Sequence, residues 1–254
     1  MQHEPAATHI EVKGEVAIVT FGGEHANNTF PMAKMRALAQ TFSELGQDDA
    51  VRAVVLTAGP QRSFGVGGDF KEVHTFTGGE EVAVWIRACI AMYRAAIEIE
   101  RPVVAAVEGY AIGIGLQLAL CADYRVGAAT ADLRMPEFQL GIACVLGAYL
   151  LERRVGPSAT RRMIMSCRPW NSEEAFRDGL LDEIAEPDET LARAVERASQ
   201  FASYEPVPFR ETKRFVNEQL FTDLATAEAA GIQAHQRGFA SSTAAQSRMR
   251  AVTG

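Results

Sequence analysis

The chain has 254 residues, a formal net charge of -7 and 48% hydrophobic side chains, a size that suits one large domain or a core with a smaller appendage. Its pI near 5.4 leaves no general basic excess to neutralise phosphates, which argues against a nucleic-acid partner. The four cysteines, Cys89, Cys121, Cys144 and Cys167, form no CxxC pair, so the pattern suggests neither a metal site nor a disulfide framework, and buried reduced thiols are expected.

The opening MQHEPAATHI lacks the basic start and apolar centre of a signal peptide, which leads us to expect a cytoplasmic protein. The longest oily run, IACVLGAYLL at 142–151, is followed at once by charged ERR and is well short of a membrane span. In chain order, HIEVKGEVAIVTF reads as two strands around Lys13-Gly14. In MAKMRALAQTFSELG, Met35, Leu38, Phe42 and Leu45 fall on one helical face and Gly46 suits its end. VRAVVLTAG, at 51–59, is a β-prone run that ends in turn residues. Trp85, Cys89, Met92, Tyr93 and Ile97 mark one stripe of a long helix, Pro102 stops it, VVAAV at 103–107 is a buried strand, and a helix follows Gly109.

YRVGAATADLRM resumes strand-like alternation, and two helices are expected across CVLGAYLLERRVGPSATRRMIM. Strands alternating with helices imply an α/β architecture. Beyond about Pro187 the pattern is almost wholly helical, which divides the chain into a core over 1–187 and a C-terminal helical module over 188–254.

Two glycine turns carry the chemistry. RSFGVGGDF (62–70) follows one buried strand and GYAIGIGLQ (109–117) follows the next. Neither is followed by the Lys-Ser/Thr of a phosphate loop, and the second is not Gly-x-Gly-x-x-Gly. If the two strands are neighbours, backbone N–H groups from both turns converge on one point and form an oxyanion hole.

SFGVGGDFKEV, AAVEGYAIGIGLQLALCADYRV and MPEFQLGI, in that order, resemble the signatures of the crotonase (enoyl-CoA hydratase/isomerase) superfamily, and the likeness extends to ETKRFVN near the end. It implies a ClpP-like spiral of strand-strand-helix repeats with a C-terminal helical trimerisation module. It also implies a coenzyme A thioester as substrate, with no permanently bound cofactor and no metal. Carried over residue by residue, it puts the oxyanion N–H groups at Gly68 and Ile114. The family's hydratases hold glutamates at two acid–base positions, where this chain has Gln117 and Glu137. An amide cannot act as a general base, so a two-glutamate hydration is doubtful, and Glu137 is read as catalytic rather than as a surface acid.

Within the superfamily the resemblance is greatest to the carboxymethylproline synthases of carbapenem biosynthesis, through RSFGVGGDF, GYAIGIGLQ, MPEFQLGIAC, FASY and TKRFVN. That group decarboxylates malonyl-CoA, adds the enolate to the imine of pyrroline-5-carboxylate (from glutamate semialdehyde), and hydrolyses the thioester to (2S,5S)-carboxymethylproline. Gln117 then has a rationale, because a second carboxylate about 4 Å from the malonyl charge would cost about 4 kcal/mol at an effective dielectric of about 20. A simple polar residue at a helix start is the other reading of Gln117. Trp85 is either a pocket wall or core packing. His235 either binds substrate or aids hydrolysis, or is an ordinary packed histidine. Lys213 either meets a CoA phosphate, in its own or a neighbouring subunit, or lies on a solvated face.

GGEHANNTFPM is only loosely like the family's CoA-shielding loop, and Val66 and Ile114 are bulky enough to narrow the pocket toward a small malonyl group. The partners expected are malonyl-CoA, a small amino-acid-derived imine, and copies of the same chain in a homotrimer or a dimer of trimers, with neither membrane nor nucleic acid. An enoyl-CoA hydratase or isomerase and a malonyl- or methylmalonyl-CoA decarboxylase are the same-fold alternatives. A non-catalytic scaffold is the alternative from another class.

Overall fold

A computed structural model describes residues 8–23, 26–243 and 245. The chain opens with the hairpin β1 (His9–Lys13) and β2 (Val16–Thr20), closed at Gly14, whose φ of 61° lies in the left-handed region. Helix α1 (Met32–Gln47) buries Met35, Leu38, Phe42 and Leu45, the face read from the sequence. It leads to β3 (Ala53–Thr57), the short helix α2 (Phe70–Val73) and the long helix α3 (Glu80–Glu98). Then follow β4 (Val103–Val107), β5 (Tyr110–Ile112), α4 (Ile114–Cys121), β6 (Tyr124–Ala128) and β7 (Asp132–Arg134).

A 3-10 turn, Glu137–Leu140, precedes α5 (Val145–Ser166). Gly156, with φ 72° and ψ 173° and followed by Pro157, breaks α5 into the two helical pieces expected there. The last elements are β8 (Trp170–Asn171), α6 (Ser172–Arg177), β9 (Glu183–Ala185), α7 (Thr190–Ala202) and α8 (Pro206–Ala240).

One sheet has the order β1-β2-β3-β4-β6-β9, antiparallel only at its first hairpin, and a smaller sheet has the order β5-β7-β8. The chain passes from the large sheet to the small one and then into a helix, as in β4-β5-α4 and β6-β7-α5. The turn after β3 repeats the pattern in miniature, because Gly65 bridges Ala111 of β5 in parallel. This is a spiral of strand-strand-helix repeats.

The central strands are buried on both faces, so alternate residues feed two cores. Val54 and Leu56 of β3, with Val103, Ala105 and Val107 of β4, join the main core under α1 and α3. Val55, Val104 and Ala106 join the second core, whose other side is Ala194, Ala198 and Ala202 of α7. The helices beyond residue 187 contribute to both of these cores. Helix α7 covers the large sheet, and Leu220, Leu224, Ala227 and Phe239 of α8 enter the main core. Among the described residues no helix is long and apolar enough to cross a membrane.

Candidate active site

The two glycine turns are bound to one another along their length. Phe64 N–H donates to the Glu108 carbonyl (2.8 Å), Gly65 N–H to Tyr110 (2.9 Å), and Ile112 N–H back to Gly65 (2.8 Å). The approach at Gly115 is so close that a Cβ there would lie 2.2 Å from the Gly65 carbonyl oxygen. Only hydrogen fits in that space, which is why the second turn needs a glycine one residue into α4. The parallel neighbours β3 and β4 thus carry the two turns side by side, as the sequence argument required.

Gly68 and Ile114 face the same cavity, which has a volume of about 70 Å³. Ile114 is the first residue of α4, with Gly113 as its N-cap at φ 54°, so its N–H is one of those a helix start leaves without an intrahelical carbonyl. Among the described backbone hydrogen bonds neither the Gly68 nor the Ile114 N–H has an acceptor. Both amides are free to donate, and the start of α4 adds a favourable dipole for negative charge. The Ile114 side chain comes within 3.6 Å of a Cβ position on Gly68 and, with Val66, forms part of the cavity wall.

Glu137 reaches this point through β7. Ile112 pairs with Arg134 in register, and Gly113 N–H donates to the Arg134 carbonyl at 3.1 Å, so the chain leaving β7 runs beside the second turn. The Glu137 Oε1 would then be 3.4 Å from a Cβ at Gly113. Glu137 is 8% exposed, and its buried Oε2 has no hydrogen-bond partner. Burial raises its pKa from 4.5 to about 7, against opposing hydrogen bonds from its own backbone, the Cys144 thiol and Gln117. The carboxyl is thereby poised between its acid and base forms near neutral pH.

Gln117, one turn into α4, lies with Nε2 3.3 Å from Glu137 Oε1, while its Oε1 accepts from the Tyr93 hydroxyl at 2.9 Å. Trp85 on α3 and His235 on α8 also line the cavity, with ring centroids 5.8 Å apart. Trp85 Nε1 is buried without a partner. His235 Nδ1 lies 2.6 Å from the Gly231 carbonyl oxygen, which can only accept, so that nitrogen carries a proton. Burial lowers the His235 pKa, against the carbonyls of Gly231 and Ala143. That depression keeps the imidazole neutral near pH 7.

Six of the seven residues singled out in the sequence therefore meet at one cavity: Gly68, Trp85, Ile114, Gln117, Glu137 and His235. Lys213 does not. Its ammonium is buried against Asp123 Oδ2 (2.5 Å) and the Arg101 carbonyl (2.9 Å). An ammonium so engaged clamps α8 to the ends of β4 and β6, and this placement does not match a CoA-phosphate contact. Tyr93 and Cys144, which touch Gln117 and Glu137, escaped the sequence reading as site residues. Tyr93 lay on an apolar helical stripe, and the thiol at 144 closed the MPEFQLGIAC motif without an assigned role.

The chain belongs to the enoyl-CoA hydratase/isomerase family, whose profile matches residues 11–252. Among its relatives, the carboxymethylproline synthase of Pectobacterium carotovorum is 34% identical over 229 residues, covering 90% of this chain and 92% of that protein. The short-chain-enoyl-CoA hydratase of Clostridium acetobutylicum is 31% identical, over 86% of this chain and 84% of the relative. The solved structure of ThnE from S. clavuligerus is 36% identical with a TM-score of 0.78, over 89% of this chain and 100% of that one. An enoyl-CoA hydratase/isomerase of Mycobacterium paratuberculosis, 22% identical, overlays with a TM-score of 0.87 across 98% of this chain and 99% of its own and shares the fold.

Proposed function

We propose that the chain is a carboxymethylproline synthase. The malonyl-CoA thioester oxygen sits between the N–H groups of Gly68 and Ile114. As the malonyl C–C bond breaks and carbon dioxide leaves, the electron pair becomes an enolate whose oxygen those amides stabilise. The enolate carbon attacks the C=N carbon of pyrroline-5-carboxylate, the C=N π pair moves onto the ring nitrogen, and that nitrogen takes a proton from solvent. Water then attacks the thioester carbonyl, Glu137 receives its proton, the C–S bond breaks, and Glu137 returns the proton to the departing CoA thiolate, so that free acid and CoA thiol separate.

The observation that carries this reading is the Gln117–Glu137 pair, with Nε2 and Oε1 3.3 Å apart. A single carboxyl beside an amide supplies one base, whereas paired glutamates would supply the two groups used in hydration. The synthase relative, 34% identical, supports it further. So does the cavity of about 70 Å³, narrowed by Val66 and Ile114, which favours a short acyl group.

A homotrimer or dimer of trimers is part of the same proposal. Met165 of α5 and Phe215 and Val216 of α8 are 72%, 78% and 66% exposed in the single chain, and apolar surface of that kind suits a subunit contact.

The test is incubation with malonyl-CoA, with and without pyrroline-5-carboxylate, followed by mass analysis, with crotonyl-CoA as the control substrate. The expected product is a carboxymethylated proline as free acid. Rapid hydration of crotonyl-CoA without malonyl-CoA turnover would instead assign the chain to the hydratases. Malonyl-CoA loss to acetyl-CoA alone, with the imine present, would assign it to the decarboxylases.

A further inference from the structure

We propose that Tyr93 is a positioning residue: its hydroxyl holds the Gln117 side chain so that the amide NH2, and not the amide oxygen, faces Glu137. The proposal rests on the reading of Glu137 as the base for thioester hydrolysis. The three side chains come from different parts of the spiral, Tyr93 from α3, Gln117 from α4 and Glu137 from the 3-10 turn after β7. All three are buried, and Tyr93 is fully so.

A buried phenol needs a hydrogen-bond partner, and that of Tyr93 donates to Gln117 Oε1 at 2.9 Å. With the amide oxygen committed there, Nε2 is left 3.3 Å from Glu137 Oε1. An ionised carboxylate only accepts hydrogen bonds, so the NH2 is the correct neighbour for the base form. Turned by 180°, the amide would set its oxygen against the carboxylate oxygen, an arrangement that fits only the protonated acid. The orientation of Gln117 therefore biases which form of Glu137 is populated. The Tyr93 hydroxyl decides that orientation without touching the reacting atoms.

The other titratable groups facing Glu137 are the Cys144 thiol at the start of α5, the Cys89 thiol on α3 and His235 on α8. Burial pushes the Cys89 thiol up to about 12 and raises Cys144 and Tyr93 well above their ordinary ranges. Burial lowers His235, so all four stay neutral near pH 7. Among the described residues no lysine, arginine or aspartate lines the cavity. Hydrogen bonds from its own backbone, the Cys144 thiol and the Gln117 amide favour the ionised carboxyl, and of these the amide is the one whose orientation the Tyr93 hydroxyl holds.

The experiment is a pH titration of the ligand-free full-length protein, labelled with 13C at the glutamate carboxyl carbon, by NMR, with Glu137→Gln identifying the resonance. Tyr93→Phe should move the Glu137 midpoint upward by about one pH unit, about tenfold in proton affinity. Tyr93→Met, which also lacks the donor, should do the same and serves should the phenylalanine variant not fold. In a Gln117→Leu background, Tyr93→Phe should add no further shift, because its effect passes through the amide.

In single-turnover hydrolysis of the product thioester, the acid limb of the Tyr93→Phe rate profile should move alkaline, with KM for malonyl-CoA unchanged. A merely packing role would lower thermal stability and leave the midpoint where it was. An unmoved midpoint, or an equal shift with and without Gln117, overturns the proposal. If the wild type makes no carboxymethylproline, the functional reading falls, and the titration still decides the role of Tyr93.

Discussion

Replacing Glu137 by glutamine should make the folded protein more stable and the enzyme slower, and both effects follow from one buried carboxyl. Its pKa rises from 4.5 to about 7 because burial penalises the charge. In the unfolded chain the group ionises as pH passes about 4.5, while in the folded chain it holds its proton until about 7, so folding loses stability across that window. Such a displacement corresponds to about 3 kcal/mol, fully lost above about pH 7 and absent below about pH 4.

Glu137→Gln has no charge to desolvate, and its amide oxygen can accept from Gln117 Nε2 as Oε1 does now. Oε2 already lacks a partner, so the new NH2 stands where a polar atom is unsatisfied in the native protein too. That keeps the gain at or below about 3 kcal/mol at about pH 8. Urea unfolding at about pH 4 and about pH 8 measures it. The same variant should slow release of the free acid by about 100-fold to 10,000-fold, since water has lost its proton acceptor. Carbon dioxide release, which relies on the Gly68 and Ile114 amides, should be less affected, and carboxymethylprolyl-CoA should accumulate in single-turnover mass spectrometry. A variant less stable than wild type at about pH 8, or one equally slow in both steps, would refute the reasoning.

Gly115→Ala should damage decarboxylation and hydrolysis together. Its Cβ would meet the Gly65 carbonyl oxygen at 2.2 Å, and displacing one oxyanion donor costs about 2.7–4 kcal/mol, read as a fall in kcat. Gly46→Ala in α1, where a Cβ meets nothing within 4 Å, is its control and should raise thermal stability by up to about 1 kcal/mol. Asp123→Ala removes the partner of the buried Lys213 ammonium and should cost about 3–5 kcal/mol of stability, with KM for malonyl-CoA unchanged; a raised KM with normal stability would restore a CoA-binding role to Lys213. Light scattering should give the mass of a trimer or a multiple of it, and a fully active monomer would contradict the proposed assembly.

Much of the spiral is legible because its strands are short runs of β-branched residues bounded by turn glycines, and its long helices carry clear apolar stripes. VRAVVLTAG and RPVVAAV contain β3 and β4, and the Met35-Leu38-Phe42 face is the buried face of α1. Among the elements that escaped are β5, β8, α6 and β9, of 2 to 6 residues each. Their pairing depends on chain distant in sequence, as when Trp170 of β8 meets Leu133 of β7, and a local window holds no trace of it. The helices beyond 187 were visible as helices, but a helical pattern does not say which surface it covers. Only the packing of α7 and α8 shows that they complete the spiral's cores.

By itself the sequence determined which residues could do chemistry. The two glycine turns, the amide at Gln117 and the lone acid at Glu137 are choices of residue type, and type limits what a group can donate, accept or ionise. Their consequences required the third dimension. Glu137 reaches a pKa of about 7 through burial that involves α8 and the second turn, neither of which is its neighbour in sequence. Lys213, a plausible phosphate ligand on paper, is committed to Asp123, 90 residues away. Tyr93, on paper one more residue of a core stripe, holds the amide beside the base. Identity travels along the chain, but desolvation and hydrogen bonding depend on distance in space, and folding alone sets that distance.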